Sequence, residues 1–169
     1  SALAKDAMVS IQFAEPKLVI SAARSRFTLA TIPADHFPVM EFTADQSKGE
    51  LNIAGSTLST AVHQVGFCAA RNDVRVMLNG ILFDFQQGLM TLAAADGLRL
   101  GVTEVPVTGE PMQNFILPSS CIEDVCQFVG TGSVRVSTSG SMARFTREGG
   151  VLHTKLVEGK FPDYRKLLA

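Results

Sequence analysis

Hydrophobic and polar residues alternate along most of this chain, in short runs separated by turn residues, and the same arrangement of runs recurs. It is found in residues 9–38 (VSIQFAEPKLVISAARSRFTLATIPADHFP), 74–102 (VRVMLNGILFDFQQGLMTLAAADGLRLGV) and 134–162 (VRVSTSGSMARFTREGGVLHTKLVEGKFP). Each segment opens with Val-x-hydrophobic alternation, breaks at a turn, alternates again, breaks again and ends in a third alternating run. A period of two puts one set of side chains on one face of a pleated strand, so each segment predicts three antiparallel strands. Suitable turn chemistry lies at Glu15-Pro16, Asn79-Gly80, Gln87-Gly88, Ser139-Gly140 and Gly149-Gly150. The first and third segments also share their exits, ADHFP and EGKFP.

What precedes each segment changes the period. Glu50 to Ala54 reads as a short strand, and Ser56 or Thr57 can cap a helix with Leu58, Val62, Val65 and Ala69 on one stripe. Residues 114–117 read as a strand, and Ser120 with Glu123 forms a capping box. Ile122, Val125, Cys126 and Val129 make the apolar stripe that follows, and Gly130 supplies a stop. Residues 49 to about 164 therefore predict two β-α-β-β-β units, with helices near 57–70 and 120–129. Only eight residues stand before Val9, and an uncovered antiparallel face is not stable by itself. The chain is thus expected to begin inside a domain, with 35–48 as a linker and one complete domain after it. The fold class expected is α+β, with two antiparallel sheets, two helices and a pseudo-twofold axis.

Composition narrows the function. Hydrophobic residues at 46% against 18% charged supply a real core and argue against disorder. A formal net charge of −1 excludes a global basic field, so any nucleic-acid contact must be local. Cys68, Cys121 and Cys126, three without a C-x-x-C pair, read as reduced, buried apolar residues. No run approaches the roughly 18 apolar residues of a membrane span, and SALAKDAM is not a signal peptide. His36, His63 and His153 are scattered, with no nucleophile elbow, P-loop or H-E-x-x-H. Asp84, Asp96 and Glu104 show no paired-carboxylate spacing beyond what the repeat explains, and LNG and ADG are turns rather than phosphate cradles. No catalytic, metal or cofactor site is predicted.

The strings SRFTLATIPADHFP, DVRVMLNG with the following LFDF, ADGLRLGV and KLVEGKFPDYRKLL, in that order, carry a family resemblance. Over essentially its whole length the chain resembles the bacterial DNA polymerase III β subunit, the ring-shaped sliding clamp. The resemblance implies the DNA-clamp fold, with duplicated β-α-β-β-β units, helices inside the ring and sheets outside. It makes 1–48 the second half of a first domain plus linker and 49–169 the middle domain, with a third domain outside the chain. It implies a cytoplasmic, non-catalytic processivity factor without cofactors, self-associating as a homodimeric ring around duplex DNA. Expected partners are the polymerase III catalytic subunit, the clamp loader, and other polymerases and repair proteins bearing clamp-binding peptides. The alternative is a β-α-β-β-β scaffold, unrelated to replication, that takes a small apolar ligand or peptide in the same place.

Site residues follow from the same motifs. The partner-peptide pocket would use Leu78, on the strand after DVRVM, then Ala95, Gly97, Leu98 and Leu100 of AADGLRL, and Pro162, Lys166 and Leu167. The leucines would give an apolar floor and Gly97 a close backbone approach. Relatives often carry Thr and His where this chain has Ala95 and Leu98, Arg where it has Lys166, and Val where it has Leu167. The expected pocket is therefore greasier. Arg71, Asn72 and Arg75 would face DNA through phosphate contacts. The second helix, with Ser119, Ser120, Glu123 and Asp124, would attract DNA little. Arg24, Arg26, Phe27 and Leu29 would form the subunit interface, with apolar residues flanked by a charged rim.

Overall fold

Strand-period alternation, punctuated by glycines and tight turns, produces three antiparallel sheets in the computed structural model, which describes residues 6–38, 42, 49–110 and 112–168. The chain divides into two units, Ser1–Met40 and Glu41–Ala169.

The first unit is a meander of β1 (Val9–Ala14), β2 (Lys17–Ala22) and β3 (Ser25–Ala30), in that spatial order, as the alternation predicts. Its register pairs Val9 with Ala22 and Lys17 with Ala30. Ile11, Phe13, Phe27 and Leu29 are exposed, and Ala22 is the unit's one buried hydrophobic among the described residues. Of the expected linker 35–48, residues 39–41 and 43–48 lie outside the described residues. Phe42 belongs to the second unit. Its ring takes the Arg144 guanidinium at 4.1 Å and the edge of His153 at 5.3 Å.

The second unit contains the doubled β-α-β-β-β pattern. The first copy is β4 (Glu50–Ala54), α1 (Gly55–Gly66), β5 (Gly80–Gln86), β6 (Leu89–Ala95) and β7 (Leu100–Pro106). The short β8 (Thr108–Gly109) follows it. The second copy is β9 (Phe115–Pro118), α2 (Ile122–Val129), β10 (Ser133–Ser139), β11 (Met142–Arg147) and β12 (Gly150–Lys155). The sheet orders are β12-β11-β10-β4-β8 and β7-β6-β5-β9. Each copy thus lends its first strand to the other copy's meander: Glu50 pairs with Ser137, and Pro118 with Gly80. This exchange makes the two halves one domain, because neither sheet is complete without the other copy.

The two helices pack on each other, and the apolar stripes predicted for them enter one core. Leu58, Val62 and Val65 of α1 and Ile122, Val125 and Val129 of α2 join Phe83, Leu92, Val134 and Phe145 from the sheets. Gly55 marks the tightest approach. A Cβ there would stand 2.5 Å from the Val129 carbonyl oxygen, and the Gly55 N–H donates to the Gly132 carbonyl at 2.7 Å.

Local details depart from the sequence reading. Neither helix has a side-chain cap: Ala54 and Cys121 are the N-cap residues, and Ser56 and Thr57 lie inside α1. The start of α1 follows β4 directly and docks its Gly55 N–H on the opposite copy, so a tertiary bond replaces the local cap. The Ser120–Glu123 box does not form, because residues 119–121 make a 3-10 turn ahead of α2. Gly130, with φ of 58°, does end α2. Helix α1 stops at Gly66, before the predicted 70, although Ala69 is still buried. Cys68 is buried, whereas Cys121 and Cys126 are half-buried, and all three are free thiols.

The largest difference falls at 74–79. Leu78 is in a 3-10 turn (Val76–Leu78), not a strand, and β5 begins only at Gly80. The Asn79 amide accepts the Asp73 N–H at 2.8 Å and donates to the Asp73 carbonyl at 2.9 Å. Those local bonds hold a loop where hydrophobic alternation alone suggests an extended run. The hairpins of this copy are therefore at Gln87-Gly88 and 96–99, and Asn79-Gly80 is the entrance to β5.

Candidate peptide site

The stretch after β12 is anchored rather than frayed. Leu156 N–H donates to Ser141 at 2.8 Å and Val157 N–H to Ile116 at 2.9 Å. Phe161 and Tyr164 are buried in a second apolar cluster with Ala70, Leu78, Leu82, Ala93 and Ile116. Met77, Ala95, Leu100, Val102 and Val157 pack against that cluster while partly exposed. Tyr164–Leu167 then forms a 3-10 turn. The Tyr164 hydroxyl donates to Asp84 Oδ2 at 2.9 Å, and Arg165 Nη2 donates to the same oxygen. Burial, and then the Asp84 carboxylate, push the Tyr164 hydroxyl above its ordinary pKa. A cleft of about 670 Å³ runs beside this segment, lined among others by Leu82, Asp84, Asn114, Phe161, Pro162 and Arg165.

Of the predicted pocket residues, Leu78, Ala95 and Leu100 meet in this second cluster. Leu78 is only 3% exposed, so it supports the surface from below rather than lining it. Leu98 and Leu167 are 95% and 71% exposed and lie outside the cluster, each on its own turn. Pro162 and Lys166 are exposed as well, and Lys166 Nζ pairs with Asp163 Oδ2 at 3.3 Å.

The turn that presents Leu98 is tightly made. Asp96 Oδ1 accepts the N–H groups of Leu98 and Arg99, both at 2.9 Å, while Oδ2 takes the Arg99 guanidinium at 2.6 Å. The Arg99 guanidinium first, and then those two N–H groups, hold the Asp96 carboxyl down at about 2. Gly97 has φ of 88°, the left-handed region that glycine adopts without strain, and a Cβ there would meet Arg75 Nη2 at 3.0 Å. Asp73 braces Arg75 by accepting from Nε at 3.0 Å and Nη2 at 2.9 Å, and the same arginine lowers the Asp73 carboxyl to about 2.

Arg75 is thus separated from Arg71 and Asn72, with which it is grouped on sequence. Arg71 and Asn72 are exposed and line a shallow cleft with Asn79, Ser119 and Ser120. The Arg75 guanidinium instead lies against the Leu98 turn. On the helices, His63 Nε2 stands 3.9 Å from Glu123 Oε2, and Glu123 and Asp124 are exposed. In the first unit, Arg24 lies in the β2–β3 turn, with Arg26, Phe27 and Leu29 on the outer strand β3, all four exposed.

Sequence reasoning missed Met77, Val157, Phe161 and Tyr164 as parts of the cluster and Asp84 as its anchor. One signal was available: Asp84 is a lone carboxylate inside the apolar run ILFDF, a position that is costly to bury without partners. Among the described residues no cluster of His, Cys, Asp and Glu fits a metal ion, and no helix is long and apolar enough to cross a membrane.

A duplicated β-α-β-β-β domain with exchanged first strands and an apolar surface at its closing turn defines a clamp-type domain. The model for the DNA polymerase III β subunit, central domain, matches residues 52–163. The β sliding clamp of Pseudomonas aeruginosa is 34% identical across 98% of this chain, and that of Escherichia coli K12 is 30% identical across the same share. The chain spans 46% of the length of each of these relatives. A crystal structure of the P. aeruginosa β subunit superposes with a TM-score of 0.87 at 31% identity, over 99% of this chain and 46% of that one. The P. aeruginosa clamp bound to griselimycin gives 0.89 at 32% identity over the same shares. The chain belongs to the DNA polymerase III β-subunit family, the bacterial sliding clamps.

Proposed function

We propose that this chain contributes the middle domain, residues 49–169, and the second half of the first domain with its linker, residues 1–48, to a sliding clamp. In this reading the assembled ring encircles duplex DNA without reading its sequence and tethers the polymerase III catalytic subunit, the clamp loader and other clamp-binding polymerases and repair proteins. It is a non-catalytic, cytoplasmic processivity factor. Arg71 and Asn72 contact phosphates, and Arg24, Arg26, Phe27 and Leu29 meet another subunit.

One observation supports the peptide pocket: Ala95, Leu100 and buried Leu78 share an apolar cluster with Tyr164, and the turns that join this cluster's segments carry Leu98 and Leu167 exposed. Isolated exposed leucines are ordinary, but two presented on braced turns beside a shared base make a receptor for apolar anchors. Arg75, its charge paired with Asp73 and its guanidinium held beside Gly97, adds a fixed hydrogen-bond donor at the rim, suited to a peptide carbonyl. Each buried Leu or Phe anchor contributes roughly 1.5–3 kcal/mol, so two or three give micromolar affinity. Fluorescence polarisation with a labelled clamp-binding peptide ending in Leu-Phe tests this. Leu98→Asp and Leu167→Asp should each weaken binding by roughly tenfold or more, since each sets a carboxylate against an apolar ligand. Unchanged binding by both folded variants would remove the site.

A further inference from the structure

Asp84 lies in β5, 4% exposed, directly after the buried apolar residues Ile81, Leu82 and Phe83. A carboxylate in that position is tolerated only with partners, and the partners come from elsewhere in the chain. Asn114 Nδ2 donates to Oδ1 at 2.9 Å, while the Tyr164 hydroxyl and Arg165 Nη2 both donate to Oδ2. Asn114 is itself fixed, since its Oδ1 accepts the Phe85 N–H at 2.9 Å. The Arg165 guanidinium lies 5.0 Å from the centre of the Tyr164 ring, so the two tail side chains also hold each other. Two of the four residues in the Tyr164–Leu167 turn are therefore tied to one buried carboxylate, and the other two are Lys166 and Leu167.

We infer that Asp84 is a positioning residue for partner-peptide binding: it touches no ligand, but it fixes the closing turn so that Leu167 and Lys166 are set in place before a peptide arrives. The inference rests on the pocket reading above. A turn that is ordered in advance does not have to be ordered on binding, so affinity is retained that a loose tail would lose. The chemistry is specific. A buried carboxylate accepts from a phenol and a guanidinium together, which neither an amide nor an apolar residue can reproduce in full.

The test uses Asp84→Ala, Asp84→Asn and Asp84→Glu in the whole chain, with Val136→Ala as a control. Val136 is a buried core residue of β10, outside the cluster that holds Tyr164, so its truncation loosens the domain without touching the tail. Asp84→Ala should weaken the peptide on the order of tenfold and raise amide hydrogen exchange in 161–168. Asp84→Asn keeps an oxygen for Tyr164 but no charge for Arg165, and should fall between. Asp84→Glu should recover part of the loss. Val136→Ala should lower the melting temperature while leaving affinity and tail exchange near the parent's. If Asp84→Ala binds like the parent, or leaves tail exchange unchanged, the role is wrong while the pocket stands. Equal loss of affinity in Val136→Ala also overturns it, as general softening would then suffice. A parent chain that does not bind the peptide refutes the pocket reading and this role together.

Discussion

Asp96 grips Arg99 side chain to side chain at 2.6 Å and at the same time accepts the N–H of Leu98, one of the two residues between them on the turn. The most exposed leucine among the described residues is thus presented on a braced hairpin. With Asp96 at about 2, below its ordinary 3.8, the bracing is present above about pH 4 and is lost only as pH falls through 2. Peptide affinity should therefore be flat with respect to this group from pH 8 down to 5. Asp96→Asn should weaken binding several-fold at pH 7 with little change in melting temperature, because the turn is solvent-exposed. Polarisation titrations at both pH values check this, and wild-type affinity in the variant would show that Leu98 needs no brace.

Tyr164 carries the opposite sign. Its hydroxyl is held above the ordinary value of 10, so the neutral form is favoured in the folded chain. That contribution is complete below pH 10 and lost as pH rises through the raised value. Urea unfolding from pH 8 to 11 should show stability falling on the alkaline side. Tyr164→Phe removes the titrating group and should flatten that limb while lowering stability near neutrality by about 1–2 kcal/mol, because Asp84 loses a donor. An alkaline limb identical in the variant would assign the fall to other groups.

Much of this architecture was legible because its causes are local and periodic. The strands of residues 9–30 and 133–155 follow from two-residue alternation and turn chemistry, and the helices from apolar stripes whose members, Leu58 and Val125 among them, reach the core. What was not legible depends on partners distant in sequence. The exchange of β4 and β9 between copies leaves no local mark, since a strand's pattern states which face is buried but not which neighbour it pairs with. Ser56 looked like a cap because caps are read locally, yet the Gly55 N–H bonds to Gly132 across the domain. The pocket motif led to Leu78, Ala95 and Leu100, while Asp84 and Tyr164, 80 residues apart, became visible as a pair only in three dimensions.

Gly55 offers a test of the helix contact itself. An added Cβ would lie 2.5 Å from Val129 O and 2.6 Å from Gly130 O, both backbone atoms that cannot rotate aside. Gly55→Ala raises helix propensity by up to about 1 kcal/mol, yet it forces α1 away from the end of α2. The clash should win, with a net loss of roughly 1–3 kcal/mol in equilibrium urea unfolding. A stabilised variant would mean that the two helices separate without cost.

DNA contact is the last prediction, and charge decides it. The chain carries a formal charge of −1, and Glu123 and Asp124 are exposed on α2. Arg75 is occupied by Asp73, which leaves Arg71 as the free cation of its group, beside Asn72, Ser119 and Ser120. In the function proposed above the ring holds DNA by encirclement, so weak attraction is no obstacle to it. The chain alone should therefore bind labelled duplex weakly at about 50 mM salt and lose that binding by about 200 mM. Arg71→Ala should flatten the plot of log affinity against log salt by roughly one unit of slope, the signature of one phosphate contact removed. Arg75→Ala should leave the slope near the parent's while weakening the peptide. If instead Arg75→Ala flattens the salt dependence and Arg71→Ala does not, the two arginines have exchanged roles, and the rim of the peptide site faces DNA.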